Sequence, residues 1–400
     1  MDSIVNPYAP GAGTRPPELA GRDAVIEEVR IAIQRLKIGR SIQVPILVGL
    51  RGVGKTALLN HLVRQSRDAK ITAVMMEAPE GRSLPSLLVP QLRSALVELS
   101  VSAKATEKVD RALSALRNFI GAIKIKYSDV EVSIFDAKPA AGLADSGDLN
   151  NDLPMLLQAI GEAARGSETA VVLFIDELQF VPENELAALI AAIHKCGQLE
   201  LPVSIVGAGL PQLIANVGRA KSYSERLFKF HHVGQLDEAS ARKAIEKPSE
   251  REGVKFSPDA VDEILRQTHR YPYFLQEWGD KSWAVAAHSP ISLDDVKRAT
   301  QIAVAHLDES FFAVRFDRCT PSERRYMLAM AELGDAGSDE FLRSGEVALK
   351  LSKTSQQVAP VRNSLIRKGM IYNPGHGDAA FTVPLFSQFM LRRMANDRAP

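Results

Sequence analysis

The sequence predicts an α/β fold, a doubly wound parallel sheet, followed by a helical lid and a C-terminal winged helix-turn-helix. Three observations lead there. Short apolar runs such as Val44–Val48 and Val171–Ile175 carry no polar interruption, as strands buried on both faces do, and they alternate with segments of helical spacing. From Leu236 to His306 the pattern turns entirely helical. Beyond Thr320, three helical segments lead into Met370–Tyr372 and Ala380–Val383, separated by the turn residues Asn373–Asp378, which reads as a hairpin.

In chain order, the first seventeen residues are rich in proline and glycine and lack the apolar core of a signal peptide. They read as a flexible leader. Asp23 reads as the N-cap of a helix over Ala24–Leu36, with Val25, Val29, Ile33 and Leu36 on one face. The strand Val44–Val48 then runs into Gly49-Leu50-Arg51-Gly52-Val53-Gly54-Lys55-Thr56, and Ala57, Leu58, Leu59, Leu62 and Val63 follow at helical spacing. Strand, glycine-rich loop and helix is the order a phosphate-binding P-loop requires. The glycines let the backbone turn tightly and aim N–H groups at phosphate oxygens, beside the positive end of a helix dipole. Lys55 would reach the β- and γ-phosphates, and the Thr56 hydroxyl would ligate Mg²⁺. Gly49, Arg51, Gly52, Val53, Gly54, Lys55, Thr56 and Ala57 are the expected contacts to a nucleoside triphosphate.

Ile71–Met76 is the next strand. The stretch from Arg82 to Asn151 is long for a connection between core strands. It reads helical in pieces from Ser83 to Phe119, with breaks at Pro85, Pro90 and the Ser100–Ser102 region, then as a β-hairpin over Ala122–Phe135, then as a loop. Whether it is a specificity element or an ornament is open at this point. Val171–Ile175 ends in Asp176 and Glu177, at the carboxyl edge where open α/β sheets bind ligands. Alone, two such acids serve equally well to cap a following helix. Paired with the P-loop, Asp176 is expected to hold Mg²⁺ through its water shell, and Glu177 to polarise the attacking water as general base. Helical pattern over Glu183–Cys196 and strands at Val203–Val206 and Lys229–Val233 complete the sheet.

In the helical stretch, Asp237, Ser257 and Ser292 read as caps, with Pro258 suited to a first helical position. Thr320 and Glu323 have capping-box spacing. A short helix is expected over Gly345–Leu351. The one after Thr354 should begin near Pro360, because proline cannot sit deep in a helix, and Gly369 should close it after Lys368.

At 400 residues the chain is expected to hold several domains: leader 1–17, nucleotide-binding domain 18–235, lid 236–312 and winged helix 313–400. A net charge of +1 argues against a globally basic nucleic-acid coat protein and leaves room for a local patch. Cys196 and Cys319 have no metal-ligand spacing and fit a reducing cytoplasm. No apolar run approaches the roughly 20 residues of a membrane span. A cytoplasmic protein without membrane partners is expected.

With these residues in place, the chain resembles the AAA+ P-loop ATPases. Within them it is most similar to the archaeal-type, initiator-like branch related to origin-recognition ATPases and to STAND ATPases. Gly49–Thr56, Val171–Glu177, Gly21-Arg22 and the lid with its C-terminal winged helix carry the likeness, which covers nearly the whole chain apart from leader and insert. The resemblance implies that Arg22 lies against the adenine, where the residues alone read as a plain turn. It implies that Arg226 is an arginine finger acting on a neighbouring subunit, hence a homo-oligomer or a protein partner. The alternative for Arg226 is an ordinary surface ion pair. It also implies that Pro272, in Tyr271-Pro272-Tyr273-Phe274-Leu275-Gln276, contacts the adenine, where the bland reading is a proline in a first helical turn. Two departures stand out. The polar residue expected to sense the γ-phosphate would fall near Gly209, which has no side chain, with Gln212 nearby. The arginine that many such lids use has no clear match, although Arg270 is close. Slow or partner-gated hydrolysis is the expectation.

The helix before Gly369 carries Arg362, Asn363, Arg367 and Lys368, residue types that read bases or phosphates of double-stranded DNA. From Asp317 onward, however, Lys and Arg only slightly outnumber Asp and Glu, and a winged helix serves equally as a protein-contact module. Two functions therefore stand side by side. One is an ATPase whose nucleotide state controls a DNA-binding winged helix. The other is a nucleotide-loaded, STAND-like regulatory scaffold with little hydrolysis.

Overall fold

Strands apolar along their whole length need cover on both faces, and the chain supplies it with helices between every pair. The computed structural model describes residues 1–400 except 12, 15, 102–105, 124–141, 335–340, 376 and 397–400. The first half runs α1 (Asp23–Lys37), β1 (Val44–Val48), α2 (Lys55–Asp68), β2 (Thr72–Glu77), α3 (Leu84–Ser100), α4 (Thr106–Ala122), α5 (Leu149–Gly166), β3 (Val171–Asp176), α6 (Glu183–Gln198), β4 (Val203–Gly209), α7 (Gln212–Ala220), α8 (Ser224–Leu227) and β5 (Phe228–His232). The five strands form one parallel sheet in the order β2-β3-β4-β1-β5. That order leaves β4 between β1 and β3, and because all strands are parallel the loops after β1 and β3 emerge at the same edge of the sheet, one strand apart.

Period-two alternation sorts the strand side chains between two cores. Val171, Leu173 and Ile175 of β3 join a core with α3–α6, while Val172 and Phe174 join a second core with α1 and α2. The stretch 82–151 is in part structural: α3 and α4 bury Leu88, Leu92, Leu96, Leu116 and Phe119 completely in the first of these cores. Pro90 does not break α3. The hairpin expected over Ala122–Phe135 lies almost entirely outside the described residues, and Ala122 itself closes α4.

Next come α9 (Glu238–Arg251), α10 (Pro258–Thr268), α11 (Pro272–Val285) and α12 (Leu293–His306). Asp237 caps α9 by accepting from the Ser240 N–H, and Ser292 with Asp295 makes a capping box on α12. The first residues of the chain, expected to be flexible, are docked on these helices. Trp283 Nε1 donates to the Asp2 carbonyl at 2.8 Å, Asn6 Nδ2 to Asp280 Oδ1 at 2.7 Å, and the Tyr8 hydroxyl to the Ile245 carbonyl at 2.5 Å. Tyr8 is 5% exposed. A single aromatic anchor with its hydroxyl satisfied is what the proline-rich composition concealed.

A π-helical turn, Leu307–Phe312, leads without interruption into α13 (Ala313–Asp317). Then follow α14 (Pro321–Leu333), β6 (Leu342–Arg343), α15 (Ser344–Lys350), α16 (Ser355–Arg367), β7 (Ile371–Tyr372), β8 (Asp378–Phe381) and α17 (Phe386–Asn396). The strands pair antiparallel in the order β6-β8-β7. The capping box of Thr320 and Glu323 opens α14. Helix α16 starts five residues before Pro360, contrary to the expectation from that proline. A third capping box, Thr354 with Gln357, fixes its first turn and offsets the hydrogen bond that proline cannot make. Gly369 takes the left-handed conformation that stops it, at φ 63°.

Candidate nucleotide site

The loop between β1 and α2 is built by backbone conformations open mainly to glycine, φ 82° at Gly52 and 89° at Gly54. Helix α2 starts at Lys55, immediately after Gly54. The loop and the start of α2 thus present N–H groups at a helix N-terminus, a ready anion site. Lys55 is 6% exposed, and its ammonium donates to the carbonyls of Gly49 at 3.0 Å and Leu50 at 2.8 Å. Burial lowers its pKa, against the pull of Glu177 and Asp176. Thr56 Oγ1 donates to Asp176 Oδ2 at 2.5 Å, while Asp176 Oδ1 accepts from the Glu177 N–H at 2.8 Å. Burial raises the pKa of Asp176, and the Thr56 hydroxyl works against that rise. A hydroxyl and a buried carboxylate converging beside an anion site are hard oxygen donors that fit Mg²⁺, a cation that keeps waters and substrate phosphates as its other ligands.

Glu177 follows β3 in the left-handed region, at φ 53° and ψ 35°, a conformation that costs a non-glycine residue energy. Its carboxylate is held from two sides. Arg51 Nη1 lies 3.7 Å from Oε1, and Gln179 Nε2 donates to Oε2. Gln179 Oε1 accepts in turn from the Leu210 N–H at 3.0 Å.

That last bond accounts for Gly209. A Cβ there would lie 2.6 Å from Gln179 Oε1 and 2.8 Å from Leu213 Cδ2, so the position is empty of a side chain because Gln179 fills it from the neighbouring strand end. The sequence reading missed Gln179. Its only signal was a polar residue two places beyond the paired acids. Gln179→Ala is expected to leave the buried Leu210 N–H unpaired and to lower stability by about 1–3 kcal/mol. Urea denaturation of variant and parent measures this, and an unchanged midpoint would refute the bond's role.

Lys55, Thr56, Ala57, Arg51, Gly52, Gly54 and Glu177 line one cleft with Pro272, Tyr273, Gln276, Phe311 and Arg315, and Ala9, Pro10, Gly11, Gly13, Thr14 and Pro16 also form its wall. A smaller cleft shares Gly54, Ala57, Pro272 and Gln276 with it and is lined also by Arg22, Val53 and Leu236. The expected adenine contacts Arg22 and Pro272 therefore come together beside the P-loop. Arg22 also braces that loop, its guanidinium donating to the carbonyls of Val53 and Gly234. Pro272 opens α11, and the Tyr273 N–H donates to the Gly52 carbonyl at 3.1 Å, which fastens that helix to the P-loop. Gly49 and Val53 lie in the loop but do not line the larger cleft.

Three further residues stand elsewhere. Arg226 is exposed just before β5, whose Phe228 pairs with Val44 at the start of β1. It therefore sits at the sheet edge opposite the P-loop and cannot touch phosphates bound to its own chain. Arg270 and Gln212 do not line the cleft either. Arg315, which the sequence reading did not single out, does.

In the C-terminal segment, two of the four expected DNA contacts are engaged within the protein. Arg362 Nη2 donates to Asn373 Oδ1 at 2.6 Å and to the Asp378 carbonyl at 2.8 Å. Lys368 Nζ donates to Glu323 Oε2 at 2.7 Å and to the Arg318 carbonyl at 2.9 Å. Burial alone would raise the pKa of Glu323, but Lys368, the Thr320 N–H and the Ser364 hydroxyl together hold it down at about 2. Asn363 and Arg367 are exposed. No helix among the described residues is long and apolar enough to cross a membrane.

Comparison with known proteins agrees with this geometry. Residues 18–206 match the AAA ATPase domain, and residues 309–390 match a domain of unknown function. The Walker-type ATPase paby2304 of Pyrococcus abyssi has the same fold, with a TM-score of 0.60 at 12% identity over 94% of this chain and 97% of that one. The Orc1 protein of Aeropyrum pernix, solved in complex with DNA, aligns over 98% of this chain and 96% of its own at 15% identity and a TM-score of 0.45. The chaperone protein ClpB of Mycobacterium tuberculosis is 22% identical over 316 residues, 79% of this chain, which spans 32% of that relative's length. The P-loop-bearing part of this chain belongs to the AAA+ P-loop ATPases.

Proposed function

We propose that the chain binds ATP with Mg²⁺ in the cleft between the P-loop, α11 and α13, hydrolyses it to ADP and phosphate, and uses the nucleotide state to control its C-terminal segment. The observation that carries this reading is the convergence of Lys55, Thr56, Asp176 and Glu177 at the carboxyl edge of one parallel sheet. Thr56 and Asp176 would hold Mg²⁺, which supplies charge neutralisation on the phosphates. Lys55 turns from the loop carbonyls to the phosphate oxygens. Glu177 accepts a proton from the water that attacks the γ-phosphorus, once its carboxylate is released from Arg51 and Gln179. Arg22 and Pro272 flank the base. Arg226, at the far sheet edge, acts in trans and requires a homo-oligomer, or a protein partner there.

The order of helices and strands after residue 313, with its small antiparallel sheet, supports reading that segment as a winged helix that binds double-stranded DNA, with Asn363 and Arg367 free to reach it. The domain division 18–235, 236–312 and 313–400 follows the same reading. A second reading, a regulatory scaffold of the STAND type, is favoured by one observation: Glu177 and Lys55 are both held by partners within the chain, as are Arg362 and Lys368. Duplex DNA titrated at rising salt separates the two. If several phosphates are contacted, affinity falls steeply, by about 10³-fold or more between 50 and 200 mM salt for six contacts. Absent or salt-independent binding, with ATP turnover intact, would leave the C-terminal segment as a protein-contact module.

A further inference from the structure

The C-terminal segment touches the nucleotide cleft directly. Helix α13 places Arg315 in its wall, in the same lining as Lys55 and Glu177. The guanidinium lies 3.9 Å from the centre of the Phe311 ring, and Nη1 donates to the Phe311 carbonyl at 2.6 Å. Among the described residues no carboxylate lies within ion-pair distance of it. Phe311 is itself stacked on Tyr273 at 4.7 Å, so the arginine rests on an aromatic pair that bridges the π-helical turn before α13 to the first turn of α11. An arginine so placed presents a rigid, planar donor fork to the cleft.

Arg51 lines the same cleft. Its side chain lies near Glu177, but its backbone belongs to a junction with the C-terminal segment. The Arg51 N–H donates to the Thr382 carbonyl at 3.1 Å, and a Cβ at Gly369 would meet Arg51 Nη2 at 3.0 Å. Thr382 is fully buried and tied through its hydroxyl to the Gly369 carbonyl at 2.5 Å. A shift of Arg51 therefore reaches the turn after α16 and the end of β8 through two direct contacts. Among the described residues the cleft is lined by three cations, Lys55, Arg51 and Arg315, against one carboxylate, Glu177. Burial and the neighbouring Arg51 lower the pKa of Arg315 to about 10, against the opposing pull of Tyr273 and Glu177.

We propose that Arg315 and Arg51 form a pair that reads the terminal phosphate of ATP in cis, and that this reading assigns the C-terminal segment its role as the receiver of nucleotide state. The inference rests on ATP occupying the cleft. Arg315 contributes a bidentate contact available only when a γ-phosphate is present. Arg51 exchanges Glu177 for the same phosphate, which frees the carboxylate for water and moves the backbone held by Thr382. The pair thereby supplies from outside the lid what Gly209 and Arg270 do not.

The test is calorimetric titration of the full chain with Mg²⁺ and either ADP or a non-hydrolysable ATP analogue. Arg315→Ala should leave ADP affinity within about twofold while weakening the analogue about 10- to 100-fold, the range of a charge-assisted hydrogen bond. Arg315→Gln, which keeps the stem against Phe311, should give the same selective loss if the alanine variant folds poorly. Hydrogen exchange over Gly369–Val383 should differ between ADP and analogue in the parent, and lose that difference in either variant. Unchanged discrimination overturns the proposal, as does equal weakening of both ligands, which marks Arg315 as merely shaping the cleft. Exchange in the parent that is identical with both ligands overturns the receiver role. A parent that binds neither nucleotide fails at the earlier step and overturns the ATP reading itself.

Discussion

Lys55→Ala is expected to weaken ATP binding by about 100-fold, the upper range for one charged hydrogen-bond partner to a phosphate. Lys55 is buried, at 6% exposed, and among the described residues its ammonium has no carboxylate within hydrogen-bond distance, only the carbonyls of Gly49 and Leu50. Those carbonyls hold it in place without neutralising it, so phosphate oxygens are the stronger partner. Alanine at this position leaves the glycine conformations at Gly52 and Gly54 untouched, and the loop is braced separately by Arg22 and Tyr273. The variant should therefore fold, which thermal unfolding checks. Affinity for ATP equal to that of the parent would show that the cleft is not the nucleotide site.

Glu177→Gln is expected to keep nucleotide affinity and to reduce turnover about 10²- to 10⁴-fold, the contribution of a general base. Glutamine is nearly isosteric, can still accept from Gln179 Nε2, and faces the same left-handed backbone cost as glutamate. What it loses is the capacity to take a proton. Phosphate release measured at saturating ATP reads the loss. A variant with the parent's rate would assign the base elsewhere, and one that also loses affinity would show that the ion pair with Arg51 shapes the cleft.

The chemistry-bearing core was legible in the sequence because it rests on local rules. The P-loop needs its glycines, the buried strands need unbroken apolar runs, and Asp176-Glu177 must follow such a strand. The structure brings these residues together where the spacing implied. What was not legible depends on contacts between distant segments. Gly209 looked like a missing sensor, yet its bareness makes room for Gln179, thirty places earlier in the chain. Arg315 carried no signal at all, because nothing in Ala313–Asp317 says that this helix turns toward the P-loop. The leader's composition suggested mobility, but Tyr8, buried against α9 and α11, and the bonds of Asp2 and Asn6 to α11 reverse that reading. Pro360 misled for a different reason: local capping by Thr354 and Gln357 outweighs one lost backbone bond. Lys368 and Arg362 read as surface contacts until their partners Glu323 and Asp378 came into view.

The proposed activity requires that this cleft hold ATP and that Glu177 turn it over. The most direct measurement is to saturate the parent and the Glu177→Gln variant with ATP and Mg²⁺, remove free nucleotide, and identify what each protein retains. ADP on the parent and intact ATP on the variant are predicted. No nucleotide on either protein, or ADP on both in equal amount, would contradict it.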